Sequence, residues 1–302
     1  MPTTATMETP VTRAVRQVSR RRGALFAADR YWAAAFAAPY AAVFLVFVIY
    51  PIGYGLWLGS NLASYRALLE DPIYPRTITN TLLYLLFGVN LKLAVAMLLS
   101  GFFARKGWWF KALLLAFMLP WAIPALPSYL SINWMLNGQW GLINNIIWDL
   151  FQVDGPPWLD SPNLALGSVI YGHIWKWLPF WTLIFLAGRL AISRELYEAA
   201  DVDGATQAQK FVHVTMPLMA GLYLVCTLLS TIWALGDFNA VRFISGGGPA
   251  LSTHVLATLG IRNAFELGDP RMGMATVLTA LPLLIPLVIL LMRQLRRNEV
   301  TI

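Results

Sequence analysis

Residues Ser193 to Pro217 read SRELYEAADVDGATQAQKFVHVTMP, a charged interruption between two long apolar runs. Ser193 suits a helix N-cap, because its hydroxyl can accept from an orphan amide of the first turn, and Glu195 and Glu198 suit the positive end of such a helix. Leu196, Ala199 and Ala200 fall at helical spacing and give a small apolar stripe. Gly204 permits a sharp turn. A second short helix is expected from Thr206 to Val214, leading to Pro217 at the start of the next apolar run, where proline is tolerated. The product is a polar two-helix elbow lying on a membrane surface, with Ala199 and Ala200 small enough to let another surface approach. The plainer alternative is a solvated connector.

Outward from the elbow the chain is apolar. Of 302 residues, 58% are hydrophobic and 12% charged, about half the charge of a soluble domain. That excludes a disordered chain, a coiled coil and an ordinary soluble enzyme. The lone cysteine, Cys226, excludes an intramolecular disulfide framework and a cysteine-based zinc site. Six segments approach the roughly 20 apolar residues of a spanning helix: 33–58, 78–99, 108–131, 164–187, 216–235 and 274–292. Pro120, Pro124, Pro127, Pro282 and Pro286 punctuate the third and sixth, where kinks are expected rather than breaks. The fold class is therefore all-α, a polytopic membrane helix bundle with six transmembrane helices.

Fifteen Lys and Arg fall in the N-terminal tail, the 2–3 and 4–5 connections and the C-terminus, against five on the other side. By the positive-inside rule both termini and the elbow are cytoplasmic. The net charge of +7 is thereby explained without nucleic acid. The expected organisation is a cytoplasmic tail over 1–30, a permease domain over 31–292 containing the loop 189–217, and a cytoplasmic tail over 293–302. The first span follows a basic segment but is too long for a signal h-region, so it reads as an uncleaved signal-anchor. Tyr31, Trp32, Tyr50, Trp57, Trp108, Trp109, Trp148 and Trp158 suit aromatic belts at the lipid interface.

Glu198-Ala199-Ala200, three residues, Gly204, nine residues, then Val214-Thr215-Met216-Pro217 resembles the EAA loop of ABC importer permeases. Val214 and Met216 depart conservatively from the Ile and Leu of that pattern. Four further stretches resemble the carbohydrate-uptake branch: Tyr50-Pro51, Thr79-Asn80-Thr81, Asn137-Gly138 with Gly141 to Asn144, and Ser245 to Pro249. The resemblance implies a type I ABC importer permease fold in the bacterial inner membrane. It also implies a heterodimer with a second permease, two copies of an ATPase holding ATP and Mg, and an extracytoplasmic solute-binding protein. The chain has no G-x-x-x-x-G-K-[ST] phosphate loop, so energy is expected to arrive through the elbow at Glu195, Glu198, Ala199, Ala200, Asp203 and Gly204.

The substrate path is expected on bundle-facing polar and aromatic residues. His173, Trp177 and Phe180 share one face of span four; Ser230, Trp233 and Asp237 share one face of span five, and Asn239 follows. Aromatic faces stack on sugar C–H surfaces, and Asp and Asn bond hydroxyls. Other roles remain open at this point: Asp237 pairing with Arg242, His173 in packing, Trp177 as an interface anchor. Lys176 faces elsewhere, about 100° round the helix per residue, and is expected to snorkel or meet a carboxylate. If Lys92 and Lys176 both faced the path, an anionic sugar derivative or polyol phosphate would be the substrate. The glycines before Pro249 and the acidic 3–4 loop (Asp149, Asp154, Asp160) face the binding protein in this reading. Cys226 is expected in packing, and no metal-ligand spacing is present. An ion-coupled secondary transporter and a membrane-embedded glycosyltransferase are the readings from other classes.

Overall fold

A computed structural model describes residues 31–299, all of whose regular elements are helices. The basic tail expected over 1–30 lies outside the described residues, as do residues 300–302. In chain order the helices are α1 (Tyr31–Leu58), α2 (Leu62–Glu70), α3 (Tyr74–Phe103), α4 (Trp108–Ala122), α5 (Ala125–Met135), α6 (Leu142–Phe151) and α7 (Pro162–Leu190). Then follow α8 (Arg194–Val202), α9 (Gln207–Leu235), α10 (Asn239–Ile244), α11 (Leu256–Ile261), α12 (Pro270–Leu278) and α13 (Leu281–Glu299). The chain divides after Trp57 into two units. In the first, α1 is an apolar helix with a π-turn at Leu45–Ile49.

The second unit has its main core where α3, α5, α7, α9 and α10 meet. Leu93, Ala96, Phe185, Trp181, Met219, Cys226, Val241 and Ile244 are buried there. Cys226 is thus a packing residue, as expected. A smaller cluster joins Leu68 and Tyr74 to Leu256 and Leu259.

Four helices are long and apolar enough to cross a membrane: α1, α3, α9 and the α12–α13 run at Pro270–Leu295; α4 with α5 makes five if counted as one span. The expected count of six is not reproduced by that measure. The difference lies in α7, which has 29 residues but carries His173, Lys176 and three tryptophans. Much of α7 is sheathed by other helices, so it has less need to match lipid.

Three boundaries differ from the sequence reading. The third span is broken, not kinked: α4 and α5 meet at 94°. Ile123 is extended (φ −72°, ψ 140°), the conformation that the following Pro124 imposes on its neighbour. The second elbow helix is not separate, because Gln207–Leu235 is one 29-residue helix. A π-turn at Phe211–Thr215 precedes Pro217 and lets the helix pass the missing amide. The expected tail over 293–302 is helical to Glu299, since nothing between Met292 and Glu299 breaks a helix. The 3–4 connection likewise holds a helix, α6.

Candidate functional site: a buried cavity and a surface elbow

Three helices supply the cavity. In α3 a π-turn at Leu86–Leu91 lies directly before Lys92. Asn90 Nδ2 donates to the Leu86 carbonyl at 3.1 Å, within that turn. α7 brings His173, Trp177 and Trp181, one turn apart on one face. α9 brings Ser230 and Trp233, and its end brings Gly236, Asp237 and Asn239. These nine residues line a cavity of about 180 Å³.

A continuous polar chain runs through its wall. Lys92 Nζ lies 2.9 Å from His173 Nε2, and His173 Nδ1 lies 2.8 Å from Asp237 Oδ2. An ammonium can only donate, so His173 accepts at Nε2 and carries its proton at Nδ1, donating to the carboxylate. Tyr84 Oη donates to the same carboxylate oxygen at 2.7 Å. The other oxygen, Oδ1, accepts from the amides of Asn239 and Ala240 at 3.1 and 3.3 Å, opening α10. Lys92 and His173 are each 2% exposed, so this is a core network joining three helices.

Of the expected path residues, His173, Trp177, Ser230, Trp233, Asp237 and Asn239 line the cavity together. Phe180 does not; it packs behind, with ring centroids 5.1 Å from Trp181 and 5.7 Å from Trp233. Asp237 pairs with His173 and not with Arg242, which bonds Glu266 at 2.8 Å. Trp177 stands in the cavity wall beside Trp233. Tyr84 and Trp181 were missed. Trp181 was legible as the next residue on the His173–Trp177 face, whereas Tyr84 announces itself by nothing local.

Lys176 does face away from the cavity, yet it neither snorkels nor meets a carboxylate. Its Nζ donates to the carbonyls of Pro120 (2.7 Å) and Ile123, at the broken end of α4. A helix C-terminus offers unpaired carbonyls and partial negative charge, which an ammonium satisfies. Of the two span lysines, only Lys92 therefore belongs to the cavity.

The elbow forms largely as read. Ser193 Oγ accepts from the Glu195 amide at 3.3 Å and caps α8. Gly204 has φ +73°, with its amide bonded to Asp201 O (3.1 Å) and the Ala205 amide to Ala200 O (2.9 Å). That is a Schellman ending, which favours glycine at the left-handed position. Thr206 and Gln209 form a capping box at the start of α9. Glu195, Glu198, Ala199, Asp203 and Gly204 are exposed and Ala200 is half-buried. Glu198 stands 3.5 Å from Arg194 in an exposed i,i+4 pair. Val202, 89% exposed, adds apolar surface. A cleft of about 360 Å³ opens in the bend, lined by Ala200, Asp203, Gly204 and Lys210 among others. Two cross-links went unread: the ion pair of buried Lys210 with Asp201, and Tyr197 Oη with Thr215 Oγ1 at 2.9 Å. Both tie α8 to α9 and set the bend.

At the far end of α3 from the Arg189–Ser100 hydrogen bond (3.1 Å), one of the short motifs grips the segment that follows another. Asn80 Nδ2 donates to the carbonyls of Ser252 (2.7 Å) and His254 (3.0 Å), and Thr81 Oγ1 accepts from the Leu256 amide at 3.0 Å. The loop after Gly246-Gly247-Gly248-Pro249 is thus held by span two. A third motif closes on itself, with Asn144 donating to Gly138 O and accepting from Trp158 Nε1 at 2.7 Å.

Comparisons with known proteins agree with this architecture. The chain is 32% identical to the sulfoquinovosyl glycerol transport system permease protein SmoG of Agrobacterium fabrum, over 87% of this chain and 90% of that protein. It is 30% identical to the trehalose/maltose transport system permease protein MalF of Thermococcus litoralis, over 78% and 84%. Its fold matches a chain in the crystal structure of a bacterial alginate ABC transporter in complex with an alginate pentasaccharide-bound periplasmic protein. The TM-score there is 0.80 at 21% identity, over 88% of this chain and 94% of that one. Residues 92–299 match the family described as "Binding-protein-dependent transport system inner membrane component". The chain belongs to that family: it is a multi-pass inner-membrane permease subunit of an ABC importer that works with a solute-binding protein, a transport component and not an enzyme.

Proposed function

We propose that this permease moves a sugar or related polyol, delivered by its solute-binding protein, into the cytoplasm as one half of a heterodimer with a second permease. Two copies of an ATPase supply the energy and hold the ATP and Mg. The cavity carries this reading: tryptophan faces for sugar C–H surfaces stand beside polar groups drawn from three helices. The substrates that the two relatives are named for, a sugar glycoside and disaccharides, support the same class. Both termini and the elbow are cytoplasmic, on the strength of the Lys and Arg asymmetry.

Glu195, Glu198, Ala199, Ala200, Asp203 and Gly204 form the surface that meets the ATPase, and ATP-driven closure reaches the spans through them. Their exposure, on a bend fixed by cap, glycine and ion pair, supports this assignment. The test is ATPase activity of the reconstituted complex, with a panel of loaded binding proteins, for the intact chain and Gly204→Asp. A side chain in the left-handed region costs about 1–2 kcal/mol, although nothing lies within 4 Å of the added Cβ. Solute-stimulated turnover is expected to fall by about fivefold or more with assembly intact. Unchanged stimulation would make the elbow a mere connector.

A further inference from the structure

We propose that the cavity holds an anionic group of the transported solute, a carboxylate, phosphate or sulfonate, with Lys92 as its counter-charge and Trp181 Nε1 and Ser230 Oγ as donors. The proposal rests on the importer reading and narrows its substrate class.

An ionised carboxylate offers about four acceptor positions, and Asp237 has spent them on Tyr84, His173 and the amides of Asn239 and Ala240. Both ring nitrogens of His173 are engaged. The carboxylate therefore cannot take the hydroxyl protons of a neutral sugar without giving up a bond that holds the core together. Among the buried side chains of the wall, the unspent capacity is mostly donor. Lys92 has three N–H groups, and among the described residues its hydrogen-bond partner is His173. Trp181 Nε1 and Ser230 Oγ are buried, line the cavity and have no partner, each residue being 1% exposed. A buried donor left unmade costs about 1–3 kcal/mol, so two of them beside the spare N–H groups of Lys92 point to a ligand rich in acceptors.

Charge distinguishes an anion from an uncharged acceptor. The Asp237 charge, which also acts on Lys92 across His173, is spread over four donors, whereas the ammonium itself touches one neutral imidazole and faces the Trp181 ring 5.8 Å away. Size agrees: about 180 Å³ is below the roughly 300–1,000 Å³ of drug-sized pockets, enough for a head group with one sugar ring. Trp177 and Trp233 wall the space for that ring.

Binding to the purified, assembled complex without ATP is the test, measured by isothermal titration calorimetry. Glucose 6-phosphate and glucuronate are the charged probes and methyl glucoside the neutral one. The intact complex is expected to bind the charged probes about tenfold more tightly or better. Lys92→Met erases that preference and Lys92→Arg keeps it. Trp181→Phe, which retains the ring and removes one donor, weakens the charged probes more than the neutral one. Should Lys92→Met fail to assemble, Trp181→Phe and Ser230→Ala decide by the same comparison. Equal affinity for charged and neutral probes, or a preference that survives Lys92→Met, overturns the proposal. Because this binding is read without ATP, it fails or stands apart from elbow coupling, which Gly204→Asp tests separately.

Discussion

Replacing Asp237 tests whether the polar chain is a structural lock. In Asp237→Ala the bonds from Tyr84 (2.7 Å) and His173 (2.8 Å) disappear. Each is a bond to a charged group, of about 1.5–3 kcal/mol. The cap on the Asn239 and Ala240 amides goes too, about 1 kcal/mol. The total is about 4–7 kcal/mol. Asp237→Asn is the sharper variant. Its amide oxygen can still cap α10, but its NH₂ then faces His173 Nδ1. To accept that bond His173 must move its proton to Nε2, directly opposite the Lys92 ammonium, where two donors confront each other. The expected loss is about 2–3 kcal/mol, and Lys92→Met in the Asn background recovers about 1 kcal/mol by removing the conflict. Thermal unfolding of the assembled complex, followed by circular dichroism, checks the order: Ala lowest, then Asn, then Asn with Met, then wild type. An Asn variant as stable as wild type, or a Lys92→Met change that lowers the Asn variant further, would refute the relay.

Two other outcomes follow from the same structure. Lys176→Met leaves the carbonyls of Pro120 and Ile123 without their donor, so amide exchange over residues 121–128 speeds up by tenfold or more, about 1.5–3 kcal/mol per lost charged bond, while Lys176→Arg stays close to wild type. Burial lowers the His254 imidazole from 6.5 to about 4, with the charges of Arg262 and Arg242 acting in the same direction and Glu266 against them. The folded loop thus holds the neutral ring. Its stability is full above pH 6.5 and falls as the pH drops from there towards 4. Hydrogen exchange of the 252–256 amides, corrected for intrinsic rates, should lose protection between pH 7.5 and 5, and His254→Asn should abolish that dependence.

The elbow was legible because its signals are local: a serine before acidic residues and a glycine where the chain reverses. Helix α7 was legible as a face, since helical spacing alone aligns His173 with Trp177. What joins these elements was not. Lys92 and His173 are 81 residues apart, and no local rule pairs them. The same holds for Asn80 and Ser252, although Asn80 fell in one motif singled out and Ser252 lies three residues after another. The broken third span was misread because proline in a membrane helix permits either a kink or a break. Lys176, whose ammonium settles the matter by satisfying the freed carbonyls, comes from another helix. The run of α9 through Pro217 was hidden by its π-turn, which leaves no mark in hydrophobic spacing.

That unbroken helix has a mechanical consequence. With 29 residues, α9 is a rod about 43 Å long. One end begins at Gln207, three residues after the elbow glycine, and the other stops at Leu235, two residues short of Asp237. A tilt of about 5° about its midpoint shifts both ends by about 2 Å in opposite senses. Contacts of 2.7 and 2.8 Å at Asp237 do not survive a 2 Å lengthening. A torque at the bend that tilted the helix as one body would therefore loosen the grip of Tyr84 and His173 at the far end, the helix itself carrying the displacement.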